Sequence, residues 1–215
     1  MDSSYKKLLK VMTLFGSVQG LNILMNLVRA KFAAELLGPA GVGLNSIYNE
    51  TREFIHSTTN LGMDQSGTRE IARNSDTEEL ADSVTLTRSW IMILAAFGML
   101  ATIVFAYPLS WMLFSDSNHI WQLIMLSPAV AFSTITCGEM TVLRGLQKMQ
   151  TIAGVSVLHV AIGVATTIPL YYIWGMDGII GALVLMTLSL TVVTMIYSYC
   201  IHPPKFCFSR NFLYK

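Results

Sequence analysis

The chain has 215 residues, of which 53% are hydrophobic and only 13% charged, with a formal net charge of +1. A soluble domain carries about 25% charged residues, so this composition excludes an ordinary water-soluble globule. A net charge so close to zero also gives no field that would draw in nucleic acid. The charges crowd into 1–10, 64–88, 144–148 and 205–215 and leave long stretches nearly free of them. The first 30 residues lack the short apolar core and small-residue cleavage site of a signal peptide, so the first apolar run is expected to be retained. Cys137, Cys200 and Cys207 have no metal-ligand spacing and read as small apolar fillers; no metal or cofactor is expected.

A bilayer core needs roughly 20 mostly apolar residues per helix. On that measure the sequence predicts an all-α integral membrane fold of about six spans, near 11–34, 41–63, 84–107, 120–143, 152–174 and 178–201. Residues 1–201 then form one six-helix lobe, and 202–215 a cytoplasmic tail. The first span carries Gln19, Asn22, Asn26 and Arg29 on one stripe, with Leu21, Ile23, Leu24 and Leu27 elsewhere. Gly38-Pro39-Ala40-Gly41 reads as the first tight turn. The second span is amphipathic along its length. Asn45, Asn49, Arg52, His56, Thr59 and Asn60 share a stripe that Glu53 borders, and Ser46, Glu50 and Ser57 widen the polar half. Leu44, Ile47, Phe54, Ile55 and Leu61 occupy the rest. Taken alone this segment reads equally as an interfacial helix; it is placed across the bilayer because the later spans need it there.

The connector from Asp64 to Ser83 reads as one or two surface helices, Thr68–Arg73 and a second capped at Asp76-Thr77-Glu78-Glu79, with a break at Asn74-Ser75. Spans three and four are plain apolar runs joined by Pro108 to His119, and Glu139 is expected to pair with Arg144. The fifth span adds a weaker stripe of Ser156, His159, Gly163, Thr166 and Thr167, with His159 as a satisfied core residue and Pro169 as a kink. Gly175-Met176-Asp177 is the last short turn, and Gly178 and Gly181 are expected at close helix contacts.

Lys and Arg set the orientation. With the N-terminus inside, Lys6, Lys7, Lys10, Arg69, Arg73, Arg88, Arg144, Lys148, Lys205, Arg210 and Lys215 are all cytoplasmic, and only Arg29 and Lys31 fall towards the outside. Both termini are therefore expected in the cytoplasm, with Asn118 outside and Gln147 inside. Tyr107, Trp111, Trp121, Tyr171, Tyr172 and Trp174 are expected at the outer headgroup level.

Ionisable groups at bilayer depth cost several kcal/mol unless they face water or each other. Two neighbouring helices with polar stripes satisfy this by lining a shared, water-filled cavity. The candidate substrate-binding residues are Asn22, Asn26, Arg29, Asn45, Asn49, Arg52, Glu53 and His56. Plainer roles stay open for them: the amides as interhelical glue, and Arg52 neutralised by Glu53, Glu50 or His56. No phosphate loop or nucleophile motif is present, so neither ATP hydrolysis nor an enzymatic step is expected.

From Leu36 to Ala72 the sequence reads Leu-Leu-Gly-Pro-Ala-Gly-Val-Gly, then Asn-Leu-Gly-Met, then Thr-Arg-Glu-Ile-Ala, and Leu143-Arg144-Gly145-Leu146 follows the fourth span. This resembles the N-terminal part of the polysaccharide or O-antigen lipid flippases, within the multidrug/oligosaccharidyl-lipid/polysaccharide exporter superfamily. The resemblance implies a six-helix lobe of a MATE-like exporter in the cell inner membrane, where two lobes flank a central cavity and flip a lipid-diphosphate-linked oligosaccharide by alternating access. It also implies lipopolysaccharide or O-antigen synthesis as the setting. Arg29 and Arg52 are the positions that would meet the diphosphate, since an arginine fork engages phosphate oxygens in pairs. One lobe alone implies a fragment, a truncated product, or a partner in the form of a second six-helix lobe or a homodimer. The alternatives are an ion-coupled drug or cation antiporter using Glu50 and Glu53, and a non-transporting membrane scaffold or membrane-embedded enzyme.

Overall fold

The computed structural model describes residues 2–75, 79–114 and 119–201, without the side chains of 2–12, 14 and 15. Asp76, Thr77 and Glu78 of the expected cap, Asn118, and the tail 202–215 lie outside the described residues. The described chain is helix and turn: α1 (Asp2–Asn60), α2 (Met63–Arg73), α3 (Leu80–Phe114), α4 (Ile120–Gly145), α5 (Met149–Trp174) and α6 (Gly178–Ile201), with a 3-10 turn Gly175–Asp177 between the last two. In hydrocarbon every backbone N–H and C=O needs an internal partner, and the α-helix supplies one within a single segment.

Five long helices therefore stand where six spans were expected, because 11–34 and 41–63 share the helical element α1. The element is bent back on itself at Gly38, which alone leaves helical geometry with φ 66° and ψ −179°. A positive φ suits glycine, and the following Pro39 both forbids a helical ψ before it and starts the next helix with a preset φ. The bend is tight: a Cβ on Gly41 would come within 2.5 Å of the Leu37 Cβ. Contacts fix the reversal. Gln19 and Asn22 lie beside Arg144 and Met149, whereas Tyr48, beyond the bend, meets His119 at the far end of α4. Further on, Thr59 packs beside Gly98 in mid-α3. The two arms of α1 thus run antiparallel.

Leu61 (φ 49°) and Gly62 (φ 71°) then end the second arm and turn the chain into α2. This short helix lies across the ends of α3 and α4, where Ile71 packs on Val84 and Val142. Arg69, Arg73 and Arg144 consequently gather at one end of the bundle, called the basic end below. At the opposite end, all the long helices converge on a cluster that includes Leu37, Tyr48, Leu123, Leu126, Tyr171 and Leu183.

Pro108 does not end α3 as expected but lies inside it, and Pro128 and Pro169 likewise sit within α4 and α5. Membrane helices tolerate proline where neighbours re-satisfy the freed carbonyl. Tyr107, Trp111, Trp121, Tyr172 and Trp174 are exposed at that end, but Tyr171 is only 2% exposed. Adjacent residues on a helix point about 100° apart, so of the Tyr171–Tyr172 pair one faces out and the other faces the core.

By length and apolar composition three helical segments can cross a membrane: Leu80–Phe114, Ile120–Gly145 and Met149–Ile201, the last carrying α5 and α6 together. Their outward faces expose Ile93, Phe97, Val104, Met125, Ile173 and Ile196 among others, a surface that water would not tolerate and hydrocarbon covers. Inside, α6 presents a ladder of Thr187, Thr191, Thr194 and Ser198, all buried. Thr191 donates to the Phe132 carbonyl of α4 at 3.0 Å and meets Thr136 at 2.9 Å. Thr194 bonds His159 of α5 at 2.7 Å. Small hydroxyl side chains of this kind let membrane helices approach closely. Gly178 at the start of α6 is similarly close, since a Cβ there would stand 2.9 Å from the Leu170 carbonyl oxygen.

Candidate functional site

The first arm of α1 touches the bundle along one narrow stripe. Val18, Asn22, Met25, Arg29, Ala33 and Leu37 are half-buried or buried, and most residues between them are exposed. The steps of three and four place this stripe on one helical face, against α5. Two grooves lie along it. Nearer the basic end, Gln19, Asn22, Arg144 and Ser156 line a groove of about 400 Å³ floored by Met140 and Ile152. The next, about 70 Å³, brings Asn26 and Arg29 to His159 and Gly163. Oδ1 of Asn22 is buried without a partner among the described residues.

The second arm holds Arg52 near the middle of α4. Its Nη1 donates to the Ser133 hydroxyl at 2.8 Å, and its Nη2 to the Glu53 carboxylate at 3.3 Å. The Arg52 side chain is 19% exposed and that of Glu53 61%. Nε of Arg52 is buried and unpaired among the described residues. Arg29, Glu50 and Glu53 all lie near enough to act on Arg52 electrostatically, so the bend at Gly38 brings the two arginines into one field. Glu50 and Glu53, with Ser46 and Ser57, form an exposed ridge along the same arm.

The remaining candidates are spread along the arm. Asn45 accepts a hydrogen bond from the Tyr171 hydroxyl at 3.2 Å, towards the far end. Asn49 is half-buried between that point and Arg52. His56 is buried nearer the basic end, and its Nδ1 has no partner among the described residues. The structure therefore pairs Arg52 with Glu53 and leaves Arg29 within electrostatic range on the other arm. It places Asn22 and Asn26 in grooves against α5, and sets Asn45 and His56 apart at opposite ends of the second arm.

Glu139 does not pair with Arg144. It is held by Arg88 of α3, whose Nε donates to Oε1 at 3.1 Å and whose Nη2 donates to Oε2 at 3.1 Å. The Ser198 hydroxyl donates to the same Oε2 at 2.6 Å, and the Tyr199 ring lies 4.6 Å from the Arg88 guanidinium carbon. The physical reason is helical: five residues advance about 500°, which puts Glu139 and Arg144 on different faces of α4. The signal for the true pair was visible as one basic and one acidic residue inside otherwise apolar runs. Arg144 has no ion-pair partner among the described residues and is left to its groove.

A helical bundle with hydrocarbon-facing sides and polar, partly cationic grooves inside is an all-α membrane protein. The chain belongs to the polysaccharide biosynthesis protein family, whose model matches residues 8–215. That assignment agrees with the resemblance to flippase-type exporters and makes this a membrane protein of polysaccharide biosynthesis. No curated protein and no solved structure matches the chain.

Proposed function

We propose that the chain is the N-terminal lobe of a transporter that flips a lipid-diphosphate-linked oligosaccharide across the cell inner membrane. Both arms of α1 cross the bilayer alongside α3 to α6, with the basic end and both termini in the cytoplasm. A second six-helix lobe, or a second copy, closes the cavity on the exposed ridge of Ser46, Glu50, Glu53 and Ser57. Polar side chains cannot face acyl chains cheaply, so this ridge calls for water or a partner. Translocation makes and breaks no bond, so the chain needs no catalytic group.

Arg52 carries the reading. Ser133 fixes one end of its guanidinium, Nε–H has no acceptor among the described residues, and Arg29 adds a second positive charge within electrostatic range. A diphosphate arriving there supplies the missing acceptor and relieves the repulsion together. In a complete transporter, Arg52→Ala should abolish export while the protein stays in the membrane, and Arg52→Lys should retain part of it, since charge survives but the fork does not. Export by Arg52→Ala equal to wild type refutes the role. The exposed Glu50 and Glu53 support a second reading, cation-coupled antiport; loss of drug efflux in Glu50→Gln/Glu53→Gln, with glycan export intact, would favour it.

A further inference from the structure

We propose that the groove at the basic end is a loading station that takes the phosphate of a long-chain lipid diphosphate before it reaches Arg29 and Arg52; this rests on the flippase reading and adds a site to it. Three observations converge. First, the acid nearest to Arg144 in sequence is already committed: Arg88 and Ser198 occupy both oxygens of Glu139. The Arg144 guanidinium is therefore available, and among the described residues no acidic one lines the groove to compete for it. Second, the opposite wall supplies the Gln19 and Asn22 amides, and Oδ1 of Asn22 is buried with no partner among the described residues. A buried polar atom left unpaired is a cost that folded chains normally avoid. Turning the amide over presents Nδ2–H to an anion instead. Third, the volume of about 400 Å³ is floored by Met140, Met149 and Ile152, so the groove is amphipathic. An ionic head with an apolar chain fits such a lining better than a free sugar or an inorganic ion.

Position supplies the direction. Gln19 and Asn22 line this groove and Asn26 and Arg29 the next, along one stripe of one helix. From Asn22 to Arg29 is seven residues, about 10 Å of helix. A phosphate held at Arg144 is thus one short step from the Arg29–Arg52 field, and an approach from the cytoplasmic leaflet meets Arg144 first. Arg144 acts here as a positioning and selecting residue for the lipid.

The test is equilibrium binding of a radiolabelled long-chain polyprenyl diphosphate to the full chain in phosphatidylcholine nanodiscs. Wild type should bind it saturably. Arg144→Ala should weaken binding about tenfold or more, the worth of one charge-assisted contact, and Arg144→Lys should fall between the two. Asn22→Leu, on the other wall, should also weaken binding and decides the matter if Arg144→Ala fails to insert. Unchanged affinity in Arg144→Ala, or in Asn22→Leu where that variant must decide, overturns the proposal. So does full displacement by an equal concentration of phosphatidylglycerol, which would make the groove a site for any anionic lipid. Export by Arg52→Ala at the wild-type level, with binding lost only in Arg144→Ala, refutes the mid-depth arginines and leaves the station standing. The converse pattern removes the station and leaves the transport reading intact.

Discussion

Breaking the Arg88–Glu139 pair should cost more than any other single change to a side-chain contact in this bundle. The two side chains are 10% and 5% exposed, and Ser198 and the Tyr199 ring complete the enclosure. Charges about 4 Å apart attract by about 4 kcal/mol at an effective dielectric of about 20. That matches the roughly 3–5 kcal/mol lost when one member of a buried pair is removed. Arg88→Leu and Glu139→Leu are each expected to destabilise by that amount. The two should not be equal, because a stranded carboxyl can shed its charge by binding a proton whereas a stranded guanidinium cannot. Glu139→Leu should therefore be the worse. The double variant leaves no orphaned charge and should recover most of the loss. Unfolding by SDS in mixed micelles, followed by tryptophan fluorescence, measures all four proteins. Singles within about 1 kcal/mol of wild type, or a double equal to the sum of the singles, would refute this account of the pair.

Cysteine labelling tests the topology: in a background without Cys137, Cys200 and Cys207, an impermeant thiol reagent added outside should label Asn118→Cys and spare Gln147→Cys. Equal labelling of the two ends the six-crossing arrangement. Gly38→Ala should destabilise by about 1–3 kcal/mol, the cost of holding an L-residue at φ 66° and ψ −179°, a region nearly confined to glycine, read as a lower SDS midpoint; an unchanged midpoint would mean that the bend does not depend on that backbone angle. Leu61→Gly, at an exposed residue with φ 49°, should move the midpoint the other way by up to about 1 kcal/mol, and a fall instead would show that the Leu61 side chain is covered.

The four apolar helices were legible because hydropathy alone specifies them, and the sharp bend was legible because glycine followed by proline leaves few conformations. The ends were less so. Proline at 108 reads as a terminator in water, yet α3 continues to Phe114 because a lipid-embedded helix gains more from keeping its backbone bonds than it loses at one proline. The polar stripes of α1 were visible as stripes, but periodicity gives a direction around one helix and says nothing of which neighbour stands there. Asn22 and Arg29 consequently meet α5, and Arg52 meets Ser133 of α4. Glu139 shows the same limit: its partner lies 51 positions away in sequence, a distance that spacing along one chain segment cannot express.

The hydroxyl ladder of α6 has a bearing on handling the protein outside its membrane. In lipid, helices gain nothing by hiding leucines from one another, since the acyl chains are equally apolar. A seam of Thr191, Thr194 and Ser198, each bonded to a neighbouring helix, holds by short-range geometry that the surrounding solvent scarcely influences. Exchanging lipid for a mild detergent should then leave α4, α5 and α6 assembled. The first arm of α1, attached by its narrow stripe, would be the first part to separate. A preparation that keeps its far-UV helix signal can thus have lost the grooves altogether.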